Sequence, residues 1–208
     1  MRRATLTSMA RGPQPETIPV PASARFPIEL EPPTGFRPDE PSSWPRVQGR
    51  LEYVGGRLLY MPPCGDLHQV VAASCVGLLV AWAGEHPEFT VGSNEAGMLL
   101  GGDVRGADAA VWRRETRGEY TGGYVRVPPI LAVEVAGRDE GRAKLRAKAR
   151  WYLRRGVEIV WVILPRTREL IVVGPEDESC HGSGARLPSH AMLPGLAPAV
   201  YAFFRQLD

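Results

Sequence analysis

Cysteine, lysine and long apolar runs are all scarce in this sequence of 208 residues. The three cysteines are an odd number without the spacing of a metal site, so we expect buried or free thiols in a reducing cytosol. No apolar run approaches the roughly 18 residues that cross a bilayer. The basic start of the chain is not followed by the apolar core of a secretory signal. We therefore expect a cytoplasmic protein without a membrane segment.

Lysine is the scarcest basic residue. Of the 25 lysine and arginine residues, only Lys144 and Lys148 are lysines. A lysine kept in such an arginine-rich chain indicates a need for a compact ammonium whose pKa shifts readily. The two lie four residues apart, which makes their segment a candidate for function. The net charge of +2 does not by itself indicate a polyanion partner.

Proline is abundant instead, and half of the 20 prolines lie within residues 1–45. Proline fixes φ and lacks a backbone N–H, so this segment cannot sustain helices or central strands. We interpret residues 1–34 as a proline-rich flexible N-terminal arm, which becomes extended after about residue 25 and can pack on the domain. Residues 35–208 then form one domain, because this length suits a single core.

Hydrophobic patterning predicts an α/β domain. A hairpin at 51–61 turns at Gly55-Gly56, and a helix capped by Asp66 runs to about Gly84. Further predicted elements are strands at 89–91, 98–100, 108–112, 130–136, 158–164 and 169–173, a helix at 138–155 ended by Gly156, a loop at 174–190 and a short element at 197–204. The strand–helix–strand order from 130 to 164 implies a right-handed parallel crossover in a mixed sheet.

One acid, Glu134, interrupts the apolar strand at 130–136. Because strand residues alternate between faces, Glu134 shares its face with Ala132 and Ala136, whose small side chains leave room for an approaching group. A carboxylate buried there without a partner would be costly or protonated. The pattern leaves two interpretations open, a structural ion pair with an arginine and a functional acid.

Asp108 begins another predicted strand, between Ala107 and Ala109. If this strand and that of Glu134 belong to one sheet, the two carboxylates converge at one end. Two such charges about 4 Å apart repel by about 4 kcal/mol at an effective dielectric constant of about 20, and a divalent cation removes that penalty. Oxygen ligands suit Mg²⁺ or Mn²⁺. Alone, Asp108 is more typical of a strand-start cap.

The helix at 138–155 carries both lysines. With its apolar face centred on Leu145, Lys148 lies about 60° from the centre and Lys144 about 100°. Lys148 therefore lies on the rim, where its ammonium can reach the strand ends, and Lys144 is expected to be solvated. The helix also has an arginine stripe, which fits either a solvated face or phosphate contact. The stripe consists of Arg142, Arg146, Arg150 and Arg154.

An ordered series of motifs extends from about residue 35 to the C-terminus. It comprises Glu52-Tyr53-Val54-x-Gly56-x-Leu58, Met61-Pro62-Pro63, His68, Asp108, Val133-Glu134-Val135, Lys148-x-x-x-Tyr152-x-x-x-Gly156-Val157-x-x-x-Trp161 and Leu193-Pro194-Gly195-Leu196. This series resembles the Uma-two family of bacterial restriction endonucleases, in the PD-(D/E)XK nuclease superfamily. The resemblance implies a restriction-endonuclease-like core, in which helices flank a mixed β-sheet.

The resemblance also implies a metal site. Asp108 and Glu134, together with the carbonyl of Val135, would hold Mg²⁺ or Mn²⁺. Lys148 would take the role of the lysine that usually follows the acid by two residues, where this chain has Ala136.

Three more residues match family positions. Glu52 would be an auxiliary acid, although an exposed hairpin glutamate fits the sequence as well. His68 and Tyr152 would be auxiliary residues, and a structural role at the helix start is equally open for His68. The chain departs from the family at Ala136-Gly137-Arg138, where the family usually has leucine, serine and proline, and the missing serine removes one support for the metal or substrate.

These roles imply a Mg²⁺-dependent endonuclease that hydrolyses DNA phosphodiester bonds. A homodimer would suit the cutting of both strands. The altered segment after Glu134 and the low net charge keep an alternative open, a nuclease-fold module that binds nucleic acid or protein without cutting. A hydrolase of small phosphoesters has less support, because the sequence lacks a glycine-rich phosphate loop.

Overall fold

The computed structural model describes residues 23–138 and 140–208, so most of the predicted arm lies outside the described residues. The strands are β1 (Ile28–Leu30), β2 (Arg50–Val54), β3 (Arg57–Met61), β4 (Phe89–Leu100), β5 (Asp103–Arg113), β6 (Leu131–Val135), β7 (Ile159–Leu164), β8 (Glu169–Val173) and β9 (Glu178–Gly182). The helices are α1 (Asp66–Gly84), α2 (Arg114–Arg117) and α3 (Arg142–Leu153). Short 3-10 turns lie at Pro41–Ser43, Val200–Phe203 and Arg205–Leu207.

All these strands belong to one mixed sheet, which confirms the predicted α/β class. Their order is β1-β3-β2-β5-β6-β7-β8-β9, and β4 pairs with β5 beside that path. The expected parallel crossover is present, since β6 and β7 are parallel and α3 connects them. β1 lies in the part of the arm that was expected to be extended, and it pairs with β3. The domain boundary at residue 35 stays a prediction.

The two faces of the sheet are covered by different helices. Val133 and Val135 of β6 pack into the cluster that includes α1 and the C-terminal turns. Ala132 packs into the second cluster, together with Leu145 and Tyr152 of α3. β6 is buried on both faces, as its apolar sequence predicts.

β4 corrects the expectation of two short strands at 89–91 and 98–100. The strand is continuous, and its pairing with β5 shifts between Ser93 and Ala96. The intervening Asn94 and Glu95 have positive φ values of 53° and 60°. The residues between the two predicted strands therefore include a β-bulge, which bends a strand without ending it.

Other element boundaries also differ from the sequence predictions. Asp108 lies inside β5, not at its start, because β5 begins at Asp103 and pairs with β4 from there. Gly65 is the N-cap of α1, and Asp66 is its first residue. α3 begins four residues later than predicted, after an extended Gly141. The predicted loop at 174–190 contains β9, whose polar edge-strand sequence lacks an apolar pattern.

Helix α1 is long and apolar enough, by length and composition alone, to cross a membrane, with a mean hydropathy of 1.6. The core helix of a soluble protein can pass the same test. In this fold α1 buries Val71, Cys75 and Leu79 against the sheet. Its first turn also carries His68 to the end of the β5–β6 ladder, where the candidate site lies.

Candidate active site

Three buried carboxylates lie on strands that are neighbours in the sheet. Glu52 is on β2, Asp108 on β5 and Glu134 on β6, and their side chains are at most 6% exposed. The β5–β6 ladder pairs Ala109 with Val133, so Asp108 and Glu134 are the next residues at the same end of the two strands. The sheet therefore brings the predicted acids together.

The side chain of Asp108 connects β5 to β6 at the end of their backbone pairing. Its Oδ2 accepts a 2.7 Å hydrogen bond from the backbone N–H of Val135, the residue after Glu134. Its Oδ1 lies 3.0 Å from Nε2 of His68. Burial raises the pKa of Asp108, but the bond and charge of His68 reverse this, and the net pKa is lowered. His68 thus orients the Asp108 carboxylate, and its role is not limited to the start of the helix.

Glu134 has a partner on each oxygen. The Tyr152 hydroxyl donates to its Oε1 at 2.7 Å, and Nζ of Lys148 donates to its Oε2 at 2.7 Å. Burial, together with the charges of Asp108 and Glu52, outweighs Lys148 and raises the pKa of Glu134 to about 7. The nearby ammonium therefore compensates this carboxylate only in part.

Lys148 is buried, not on the rim as predicted. Its Nζ lies between two acids, 2.7 Å from Glu134 and 3.2 Å from Glu52. Burial lowers the pKa of Lys148, and the two carboxylates reverse the effect, so the net pKa is raised. Lys144 is exposed, as expected, and donates to the carbonyl of Phe26 at 2.9 Å.

Glu52 is not the exposed hairpin glutamate that the sequence allowed, since its side chain is 2% exposed. Nε of Arg105 donates to its Oε2 at 2.8 Å. Burial raises the pKa of Glu52, but Lys148 and Arg105 outweigh it, so the net pKa is lowered. Glu52 is therefore the second negative charge beside the ammonium of Lys148.

Three residues of this cluster were missed by the sequence analysis: Arg50, Glu95 and Arg105. Nη1 of Arg50 lies 3.3 Å from Glu95 and 3.7 Å from Asp108. The only sequence signal was the two-residue spacing of Arg50 and Glu52, which puts both on one face of β2. No sequence pattern indicated Glu95, because its contact with Arg50 depends on the β4 bulge.

The cluster also contains unsatisfied polar atoms. In the described part of the chain, three buried side-chain atoms lack a hydrogen-bond partner: Nε of Arg50, Oε1 of Glu52 and Nδ1 of His68. Oε1 of Glu52 is near Lys148, but the contact lacks hydrogen-bond geometry. Buried polar groups are nearly always bonded, so orphans concentrated at one place indicate a site that takes up water, an ion or a ligand.

The donor set has the chemistry of a site for a hard cation. Carboxylate oxygens are the ligands that Mg²⁺ and Mn²⁺ prefer, and Glu134 has incomplete charge compensation. Within residues 23–138 and 140–208, however, no three His, Cys, Asp or Glu side chains are already arranged around one point for a metal. Lys148, Tyr152 and His68 now satisfy the carboxylate oxygens that a metal would use.

A cleft of about 470 Å³ opens beside the cluster. Its lining includes Arg50 and His68, which both contact Asp108. The rest of the lining comes from the end of β3 and its connection to α1, the first turn of α1, the segments after β6 and β7, the start of α3 and the start of the chain's described part. These residues are Phe26, Met61, Pro62, Pro63, Cys64, Gly65, Asp66, Leu67, Ala136, Gly137, Arg138, Glu140, Lys144, Pro165 and Arg166.

Part of the arginine stripe on α3 is paired with acids. Arg142 forms an ion pair with Glu169 of β8, and Nε of Arg146 donates to Glu178 of β9 at 2.8 Å. Both arginines remain partly exposed. The sequence could not predict these pairs, because their acids come from other elements.

The comparisons with known proteins concern the family and the fold. A family model described as "Uma2: Putative restriction endonuclease" matches residues 38–201. A crystal structure from Anabaena variabilis ATCC 29413, titled as a "putative nuclease belonging to DUF820", is similar in fold, with a TM-score of 0.70. It is 17% identical, and the match covers 80% of this chain and 96% of that one. No curated protein matches the sequence.

The resemblance predicted from the motif series is thus confirmed over most of the chain, and the nuclease-like fold is found again at low sequence identity. This chain belongs to the Uma2 family of restriction-endonuclease-like proteins.

Proposed function

We propose that this protein is a cytoplasmic endonuclease that hydrolyses DNA phosphodiester bonds with the help of Mg²⁺ or Mn²⁺. The observation that carries the proposal is the buried cluster of Glu52, Asp108, Glu134 and Lys148, next to a basic cleft. The three orphan polar atoms all belong to this cluster or to residues that contact it. Membership of a family described as restriction endonucleases supports this reaction class.

In this proposal the metal ligands are Asp108, Glu134 and the carbonyl of Val135. The N–H of Val135 points to Asp108. The N–H and C=O of one strand residue point to the same neighbouring strand, so we expect the Val135 carbonyl to face the same gap. When bound, the ion would supply a Lewis acid for the phosphate and lower the pKa of a water molecule.

Lys148 is the catalytic cation of the proposal. Its Nζ is held between Glu134 and Glu52, within reach of any group that approaches Glu134. An ammonium in this position can donate to the attacking water and stabilise the developing negative charge. Tyr152 and His68 are positioning residues, since they hold the carboxylates of Glu134 and Asp108 in place.

The test is a nicking assay on supercoiled plasmid with Mg²⁺ or Mn²⁺, and with a chelator as blank. We expect metal-dependent nicking by the wild type. Glu134→Ala should lower the rate by roughly a hundredfold or more, equivalent to about 2.7 kcal/mol of transition-state stabilisation. Glu88→Ala, which removes an exposed acid outside the cluster, is the matched control and should cut normally. Equal metal-dependent rates in the wild type and Glu134→Ala would contradict the proposal.

A second candidate is a nuclease-fold module that binds DNA without cutting it. It is favoured by the altered Ala136-Gly137-Arg138 segment and by the paired state of the carboxylates. This candidate predicts salt-dependent DNA binding but no cleavage. Calorimetric titration with Mn²⁺ separates the two, because heat that depends on Glu134 favours the enzyme and no binding favours the module.

We also propose a homodimer as the active form, because two copies related by a twofold axis can cut both strands of a duplex. Sedimentation velocity at assay concentrations tests this point separately. A monomer that makes double-strand cuts in one binding event would contradict it.

A further inference from the structure

Only part of the Arg50 guanidinium group has contacts with other side chains. Arg50 lies on β2 with its side chain 18% exposed, and it lines the cleft. Nη1 contacts Glu95 and Asp108, whereas Nε is buried and has no hydrogen-bond partner among the described residues. An arginine can donate five N–H bonds in a fixed fork, so this one retains donor capacity beside the cleft.

The N-terminus of α1 opens on the same cleft. α1 is 19 residues long, and its N-cap, Gly65, offers no side-chain cap. The N–H of Leu67 donates to Asp66, but the N–H groups of Asp66 and His68 have no partner among the described residues. A long helix presents partial positive charge at this end and binds anions there.

His68 gives an independent indication of a ligand. It lines the cleft, is 93% buried and uses Nε2 for Asp108, while its Nδ1 has no partner. Arg50 and His68 both line the cleft, and each has one buried side-chain nitrogen without a partner among the described residues. A buried polar atom left unbonded is destabilising, so these two residues favour a bound group that supplies hydrogen-bond partners.

The charge of the cleft lining favours an anion. It contains the bases Arg50, Arg138, Lys144 and Arg166, against the acids Asp66 and Glu140. Lys144 lies 3.9 Å from Glu140, and Asp66 opposes an anion at the helix end. The volume of about 470 Å³ is within the range of about 300–1,000 Å³ for small-ligand sites, enough for a phosphate with its attached sugar.

We propose that this cleft is a phosphate-binding subsite in which Arg50 and the N-terminus of α1 hold a phosphate group of the nucleic acid beside Asp108. The identity of the ligand as nucleic acid rests on the proposed function, but the recognition of phosphate does not. Arg50 then has two roles, since the guanidinium that contacts Asp108 and Glu95 also faces the substrate.

The test measures binding of inorganic phosphate to the full-length protein by calorimetry, with a chelator present and the ionic strength held constant. We expect saturable binding by the wild type. Arg50→Gln should weaken it roughly tenfold or more, because a hydrogen bond to a charged group is lost. Arg205→Gln, the same charge change at an exposed C-terminal position, should leave the affinity unchanged within twofold. No saturable binding by the wild type, or equal affinities for Arg50→Gln and Arg205→Gln, would overturn the proposal.

A second measurement covers the case in which Arg50→Gln does not fold, as judged by circular dichroism and thermal melting. Phosphate is titrated into ¹⁵N-labelled wild-type protein, and the side-chain Nε–H signal of Arg50, assigned by its loss in Arg50→Lys, is followed. A saturable shift of this signal supports the subsite. A signal that stays fixed while other arginine signals move refutes it.

A final arm identifies the source of the phosphate. Binding of a 12-base-pair DNA duplex in chelator is compared for Arg50→Gln and Arg205→Gln, so that no cleavage occurs. Weaker DNA binding by Arg50→Gln alone supports a nucleic-acid subsite. Loss of phosphate binding with unchanged DNA binding contradicts that part. Because no metal is used, these results are independent of whether the protein cuts DNA.

Discussion

Lys148 is the residue on which the charges of the site depend. Its ammonium contacts both Glu134 and Glu52, and each of these carboxylates is almost fully buried. Removing one partner of a buried ion pair is expensive, because the remaining charge has neither water nor a counterion. The chain offers a matched control, since its only other lysine, Lys144, lies one helical turn away and is exposed.

We therefore expect Lys148→Met to lower the free energy of unfolding by about 3–5 kcal/mol. Lys144→Met should change it by about 0.5 kcal/mol or less, as for other solvated positions. Urea denaturation of both variants in chelator measures the difference. Similar losses for the two lysines would show that the Lys148 ion pairs do not form.

The three cysteines also differ in burial. Cys64 and Cys180 are exposed, and Cys75 is buried in the cluster between α1 and the sheet. Burial, followed by the charge of Asp108, raises the pKa of the Cys75 thiol far above its ordinary value. The reactive thiolate of Cys75 is therefore scarce at pH 8.

A thiol reagent at pH 8 should thus modify two cysteines quickly and the third only after unfolding. Cys75→Ala should leave the number of fast thiols at two, whereas Cys64→Ala should reduce it to one. Three fast thiols in the folded wild type would contradict the packing of α1.

At the scale of elements, the bulge in β4 and the strand beside it determine the position of Glu95. Gly106 of β5 lies against the bulge, and a Cβ added there would be 2.9 Å from the Cβ of Glu95 and 3.1 Å from its carbonyl oxygen. Such contacts require the backbone to shift. Gly77, in the middle of α1, has nothing within 4 Å of an added Cβ.

The same substitution should therefore have opposite effects at these two glycines. Gly106→Ala is expected to destabilise the fold by about 1–3 kcal/mol, because the bulge is overpacked. Gly77→Ala is expected to stabilise it by about 0.5–1 kcal/mol, through the higher helix propensity of alanine. Chemical denaturation measures both, and a neutral Gly106→Ala would contradict the close contact between β4 and β5.

Elements with a clear hydrophobic periodicity or turn signal were predictable from the sequence. Strands that depend on pairing with a neighbouring strand were not. The β2–β3 hairpin, α1 and the β6–α3–β7 unit follow from two glycines and from apolar patterns. The continuity of β4 depends on β5, and the polar strand β9 depends on β8. Both results come from contacts between separate segments, which no local pattern records.

The candidate site follows the same division. Asp108 and Glu134 were predictable because each is an acid in an apolar segment with alanines beside it or on its own face of the strand. Arg50, Arg105 and Glu95 were not, because the sheet order β2-β5-β6 and the β4 bulge bring them in from distant segments. The burial of Lys148 was also missed, since helical periodicity gives its direction but not the carboxylates that compensate its charge.

For the whole molecule, net charge is a poor guide to function. The chain carries only +2 overall, yet the site combines a buried acidic cluster with a mostly basic cleft lining. This separation suits a reaction in which a metal is held by acids while the polyanion is held by bases. The sheet order places β2, β5 and β6 side by side, which gathers the acids. The first turn of α1 lines the adjacent cleft.

The most direct test of the metal site is a crystal structure of the full chain with bound Mn²⁺, located by its anomalous scattering. We predict one peak with Asp108, Glu134 and the Val135 carbonyl among its ligands at about 2.0–2.3 Å, and Lys148 beside it. A Mn²⁺-saturated crystal with no peak at these residues, and with Glu134 still bonded to Lys148 and Tyr152, would contradict the proposed metal centre.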